Sequence, residues 1–472
     1  MVSSRLSYRT VFISSALVAA FIAVEAGSFP NVSAGNDLAA TFQAPPVSAR
    51  PWVFWYWMKA STSKEGITAD LEAMDQAGIG GAYLMPIKGP DEPPLIDPPI
   101  EQLSPQWWAM VRHAFAEADR LGLQLAMHAC DGFAVAGGPW ITPELSMQKV
   151  VWSETRVAGD IHFSGQLPQP ESNESYYRDI AVLAFPTPVG TGASTQEIVP
   201  QVTTSLPEID AQFLPTGESE QRLRSEQHCW IQYSFDEPFT CRSLTVVPDG
   251  NSFQALRLPL QASEDGEEFR TIQQLEPPRH GWEDWDAPYT YAIEPTTARY
   301  FRFVYEPAGT EPGAEDLDSA KWRAVLKVRG LKLSGTPRIH QYEGKTGQVW
   351  RISRRTTSEQ VSEHLCVPLD QIVDLTDHLE TEGQLRWDVP PGDWTILRFG
   401  HTSTGHTNAT GGAGEGLECD KFNPEAVRLQ YDNWFGEAVK QVGPKLASQV
   451  FQLFHVDSWE CGSQNWSPVF RE

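Results

Sequence analysis

Basic residues are in short supply. Against 61 aspartates and glutamates stand only 36 lysines and arginines in 472 residues, a formal charge of −25 at pH 7. A nucleic-acid partner needs a basic face to displace counterions from phosphates, so this balance argues against one. A neutral substrate meets no such objection. Cysteine is sparse too: the six are scattered with no CxxC and no metal-ligand spacing, which leaves neither a redox dithiol nor a zinc framework in them. Cys229 and Cys241 are the closest pair in sequence, and no disulfide connectivity is legible.

Long apolar runs are missing after the first two dozen residues, so no later stretch reads as a membrane span. At the start, Arg5 and Arg9 precede an uncharged apolar run, Val11–Val24, that is short for a span, and small residues near Ala26 suit cleavage before Gly27. Residues 1–26 are therefore expected to be a signal peptide. The mature chain is expected to be secreted or periplasmic, with no membrane span after signal cleavage. In that setting Asn31, Asn173, Asn408 and Asn465 are glycosylation acceptors where the host glycosylates.

Tryptophan, by contrast, is plentiful: 17 in all. Some belong to cores, and others could offer flat apolar platforms suited to the C–H faces of sugar rings. After a Pro/Ala/Ser-rich lead, "PWVFWYWM" (51–58) has the bulk of a buried strand. "SKEGITADLEAMDQAGIG" (63–80) places apolar residues at helical spacing, with Ser63 as N-cap and Gly78 as stop. "GAYLMPI", a helix over Pro105–Leu121 and "LQLAMHA" (123–129) follow, giving βαβαβ, the order of parallel strands with right-handed crossovers. From about residue 180 to 400 the rhythm turns to alternating strands and Gly/Pro/Asp turns, as in an all-β sandwich. Within it, the stretch at about 225–335, with "LQASEDGEEFRTI" and "TTARYFRFVY", resembles the discoidin-like, galactose-binding-like sandwich, a module that binds sugars in some proteins and only scaffolds in others. A helix over 423–446 and a strand over 449–457 then resume the first pattern.

The expected fold is thus α/β plus all-β: a partial (β/α)8 barrel of about four strands, interrupted by a β-rich region. Its divisions are 1–26 signal peptide, 27–50 linker, 51–155 first part of the barrel, 156–400 β-rich insertion, and 401–472 barrel resumed and cut.

In a barrel the reactive groups stand at the C-terminal ends of strands. Trp57 ends the first strand. His128 and Asp131 end the third, in "MHACDGFAVAGGPW", where Trp140 follows a glycine-rich turn. The His–Asp pair either meets a ligand or ties the loop down. The fourth end, "FHVDSWECGSQNW", carries Asp457 and Glu460 among tryptophans. Glycoside hydrolysis needs one protonated carboxyl group to donate to the leaving oxygen and a second to activate water or attack the sugar. An aromatic wall favours the protonated form, so Glu460 beside Trp459 suits the acid. Asp457 and Glu460 stand on one loop and hardly form the catalytic pair between them. "RFGHTSTGHTNATGGAGEGLECDK" (398–421) adds His401, Glu418 and Asp420 among glycines. These carboxylates are candidates for holding a hard cation, and equally for capping the next helix.

Taken in order, "PWVFWYWM", "KEGITADLEAMDQAGIGGA", "GGPWITPELSMQKVVWSE", "GQLRWDVPPGDWTILRFGHTSTG", "GLECDKFNPEAV" and "HVDSWECGSQNW" make the chain resemble the α-L-rhamnosidases of glycoside hydrolase family 106. The resemblance implies release of terminal α-L-rhamnose from glycans or glycosides, an inverting mechanism with two glutamates, a (β/α)8 barrel and a calcium ion near the sugar. Glu460 is its candidate catalytic acid. Trp57, His128, Asp131, Trp140, His401, Glu418, Asp420 and Asp457 are candidates for substrate binding, with no calcium ligands assigned. The family's chains run further, so the second carboxylate is expected beyond residue 472, and this chain alone is expected to be poorly soluble or inactive. An exo-glycosidase of other specificity and a non-catalytic carbohydrate-binding protein are the alternatives.

Overall fold

The computed structural model describes residues 38–471 apart from 90–95, 130–131, 133–135, 190, 219, 251–252, 281–283, 285, 309–323, 353–361, 409–412 and 458. The expected signal peptide lies outside the described residues.

Three nested layers of chain build the molecule. The outermost is a parallel sheet of β1 (Trp52–Met58), β2 (Gly81–Ile87), β3 (Gln124–His128) and the strand Phe451–His455, side by side in that order. Its crossovers are helices with strong sequence signals. Ser63 caps Lys64–Gln76 by accepting the Gly66 N–H at 3.1 Å. Ser104 caps Pro105–Leu121 by accepting the Trp107 N–H at 3.2 Å, with Pro105 in the first turn where no N–H is missed. Trp107, Trp108, Val111, Ala114, Phe115 and Ala118 recur on one side of the second helix and are all buried. They pack against Trp55 and Trp57 of β1 and Leu125 and Met127 of β3.

That core covers only one face of the sheet. Side chains alternate along a strand, so Trp55 and Trp57 turn to the helices while Phe54 and Tyr56, 49% and 46% exposed, stand on the other face. "PWVFWYWM" is therefore an alternating strand, not one buried on both sides.

The next layer is an antiparallel sheet in which Gln148–Ala158 pairs with Asp393–Ser403, which in turn pairs with Arg178–Pro186. The β-rich region therefore begins at about residue 148, ahead of the expected 156, and includes 401–403. Innermost is a seven-stranded antiparallel sheet centred on two long strands, Cys229–Pro248 and Tyr289–Tyr305. Its own aromatic core includes Tyr233, Phe239, Phe301 and Tyr305.

The expected helix over 423–446 is broken. Asn423 caps Pro424–Tyr431, a wider π turn spans Asp432–Gly436, Glu437–Val442 follows, and Gly443 separates this from Pro444–Val450. Cys229, Cys241, Cys366 and Cys419 are free thiols. Cys229 and Cys241 sit on one extended strand, which holds them apart, and burial pushes the Cys241 thiol up to about 12. Among the described residues no helix is long and apolar enough to cross a membrane.

Candidate active site

Parallel pairing sets the site's geometry. His128, the last residue of β3, is the register partner of His455, the last residue of the fourth strand. Register partners leave a sheet from the same face, and two residues further the same parity returns, so Asp457 follows His455. His128 is fully buried. Its Nε2 lies 4.0 Å from Asp457 Oδ2, and the two imidazole centroids are 5.2 Å apart. Tyr83 and Phe54 wall the pair on the open face, with ring centroids 4.9 and 5.8 Å from that of His455.

The loop beyond Asp457 carries Glu460, half-buried, next to an exposed Trp459. Buried polar groups hold this loop. Asp420 is fully buried; its Oδ2 accepts from Ser467 Oγ at 2.6 Å and its Oδ1 from Gln464 Nε2 at 2.5 Å and the Phe422 N–H at 3.0 Å. Glu418, also fully buried, takes the Lys421 ammonium at 2.7 Å and the Ala136 N–H at 2.8 Å on Oε1. Lys421 Nζ sits 4.5 Å from the centre of the Trp459 ring, a cation–π contact that reaches the residue beside Glu460. Trp459 Nε1 donates to Gly462 O at 2.7 Å, and Cys461 Sγ donates to Thr407 O at 3.0 Å.

Gly462 is required twice over. Its φ of +75° suits glycine, and a Cβ there would lie 2.6 Å from His406 Nε2. Gly462→Ala is expected to cost about 1–3 kcal/mol in strain and displaced contacts, read as a lower urea midpoint. His406 is the neighbour that would be pushed. Burial lowers its pKa from 6.5, opposed by the carboxylates of Asp284, Asp286 and Glu418. With the folded-state pKa below the unfolded one, folding disfavours the proton. This contribution is complete above the unfolded-state value of about 6.5 and is lost as pH falls from there through the lower folded-state value. The urea-derived stability of His406→Gln is therefore expected to fall less steeply between pH 7 and 5 than that of the unaltered protein.

The remaining candidates take other places. Trp57 is 2% exposed and edge-on to Trp55 and Trp107 in the helix-side core, so it packs and does not face a sugar. Trp140 donates through Nε1 to Gln430 Oε1 at 2.7 Å, and Gln430 Nε2 donates to Ala129 O at 2.9 Å. The pair ties the turn after β3 to the helix Pro424–Tyr431. His401 is buried between sheet and loop, with Nδ1 3.1 Å from Gln148 Oε1 and its ring beside Tyr176 and Trp466. Asp420 is an internal tie of the Glu460 loop and Glu418 ties Lys421 to Ala136; neither caps the next helix, whose cap is Asn423. Asp131 lies outside the described residues. His455, Lys421 and Gln464 were not singled out in the sequence; the i, i+2 spacing of His455 and Asp457 at a strand end was the available signal for the first.

A calcium ion prefers six to eight oxygen ligands. Glu418 Oε1 and both oxygens of Asp420 are already held by protein donors, which leaves Glu418 Oε2, buried with no hydrogen-bond partner among the described residues, as a single oxygen where calcium needs several. The one group of three His, Cys, Asp or Glu donors gathered among the described residues is His128, His455 and Asp457, two nitrogens and one carboxylate. This set does not fit calcium.

A parallel α/β sheet that brings carboxylates, histidines and exposed aromatic rings to the C-terminal ends of its strands is an arrangement found among glycoside hydrolases. The alpha-L-rhamnosidase profile, glycoside hydrolase family 106, matches residues 43–472, and the chain belongs to that family. A solved rhamnosidase from Novosphingobium sp. PP1Y is 30% identical and superposes with a TM-score of 0.73, covering 92% of this chain and 40% of that one. A curated Formosa agariphila protein provisionally named a beta-glucuronidase is 26% identical over 438 residues, 92% of this chain and 25% of that protein. The chain thus spans well under half the length of either relative.

Proposed function

We propose that this chain carries part of the active site of a secreted, inverting exo-α-L-rhamnosidase, with Glu460 as the general acid. The observation that carries the proposal is the placement of Glu460. It stands beside Trp459, on a loop leaving the C-terminal end of a parallel strand, and that loop is fastened from beneath by buried Asp420. Family membership and the Novosphingobium rhamnosidase support the sugar.

The four parallel strands are read as part of a (β/α)8 barrel, whose interior the face bearing Phe54, Tyr56 and Tyr83 would line. The seven-stranded region is read as a galactose-binding-like sandwich inserted between barrel strands. Residues 1–26 are read as the export signal.

In this reading a terminal sugar lies over the strand ends. Glu460, as the carboxylic acid, gives its proton to the departing glycosidic oxygen, while a second carboxylate, about 6.5–9.5 Å away in inverting enzymes, activates water on the opposite face of the ring. Asp457 and His128 would face the sugar hydroxyls from the strand ends, and the exposed Trp459 would flank the aglycone. A panel of aryl glycosides given to the intact protein tests this. The expected result is release from the α-L-rhamnoside, with the β-glucuronide, suggested by the Formosa name, cleaved at least about a hundredfold more slowly. Preferential glucuronide cleavage, or none at all, would overturn it.

A further inference from the structure

The strand ends hold a donor set that neither the proposed acid nor a calcium ion explains. His128 and His455 are register partners on adjacent parallel strands, and Asp457 repeats the parity of His455 two residues on. Register therefore sends both imidazoles from one face at one end of the sheet, and the loop that follows His455 returns Asp457 to them. One ligand atom from each lies within 4.8 Å of the other two, and His128 Nε2 is 4.0 Å from Asp457 Oδ2. Ligands about 2.1 Å from a tetrahedral ion stand about 3.4 Å apart, so side-chain rotations of roughly an ångström would close the set. His455 Nδ1 is buried with no hydrogen-bond partner among the described residues. Phe54 and Tyr83 flank the His455 imidazole on the open face.

We propose that His128, His455 and Asp457 bind one first-row divalent cation of the zinc class. Two neutral imidazoles and one carboxylate match three-ligand zinc sites that keep a fourth position open, and imidazole nitrogen suits zinc, cobalt or nickel over calcium. The cation would lie at the root of the loop that carries Glu460, three residues past Asp457, and would fix Asp457 to two strand ends at once. The inference does not depend on which sugar the protein cleaves, or on whether it cleaves one.

The test is a Co²⁺ titration of the intact, untagged, chelator-treated protein, followed by visible absorption, with Zn²⁺ and Ca²⁺ as competitors. The expected result is one Co²⁺ per chain with ligand-field bands, displaced by stoichiometric Zn²⁺ and unaffected by millimolar Ca²⁺. His455→Gln and Asp457→Asn should each weaken Co²⁺ binding by about a hundredfold or more, beyond the range seen for outer-shell partners. Asp457 is part-exposed on a loop, so Asp457→Asn carries the test should a strand variant fail to fold. Absence of stoichiometric Co²⁺ binding by the folded protein, affinity unchanged in Asp457→Asn, or displacement by Ca²⁺ as readily as by Zn²⁺ would each overturn the proposal.

Discussion

Glu460→Gln is expected to lower kcat on a p-nitrophenyl α-L-rhamnoside by about 10²–10⁴-fold, the range a positioned general acid contributes. The amide keeps the size of the side chain and its place on the loop, so KM and the urea midpoint should barely change. What is lost is the proton for the leaving oxygen. The deficit should therefore depend on the aglycone. A dinitrophenolate leaves without protonation, and on that substrate the variant should approach the unaltered enzyme; an alkyl rhamnoside should show the full loss. A deficit equal for all aglycones would place Glu460 in binding, not in proton transfer.

Lys421→Met should produce the largest stability effect, a loss of about 3–5 kcal/mol, because it leaves the Glu418 carboxylate buried without its cation. Glu418 is fully buried and Lys421 only 12% exposed in its side chain, so little water reaches the pair to soften the loss. Burying an ion pair gains little over burying neutral groups of similar volume, whereas breaking one is costly. The double variant Glu418→Gln, Lys421→Met should therefore recover most of the loss, and the cycle of urea midpoints at constant slope measures the coupling. Lys421→Met also removes the contact under Trp459, so the single variant should lose activity at temperatures where it is still folded. A stability change under about 1 kcal/mol would show that the pair is not buried in solution.

The parts of this molecule that were legible in the sequence are those fixed by local chemistry. Ser63 announced its helix because a hydroxyl before an apolar periodicity has an unpaired N–H to accept. The parallel order followed from alternation of strand and helix. The failures have equally local causes. Asp236-Glu237-Pro238 looks like a turn, yet Cys229–Pro248 runs through it as one strand, with the irregularity absorbed as a shift in pairing against Ala298–Tyr300. Trp57 looked available because its strand end points to the site, but parity sends its ring the other way. Glu418 and Asp420 looked like ligands because acidic residues among glycines do; nothing local shows that Lys421 folds back on one and that Ser467 and Gln464 reach the other. The spacing of His455 and Asp457 was visible along the chain, but their meeting with His128 rests on a register pairing across more than 300 residues that no local pattern displays.

The most direct test of the central claim, that Glu460 serves an inverting rhamnosidase, is ¹H NMR of the first sugar released from an aryl α-L-rhamnoside by the intact protein. The account predicts β-L-rhamnose as the first anomer, with the α form appearing only by mutarotation. Initial release of the α anomer, or no release of rhamnose, would contradict it.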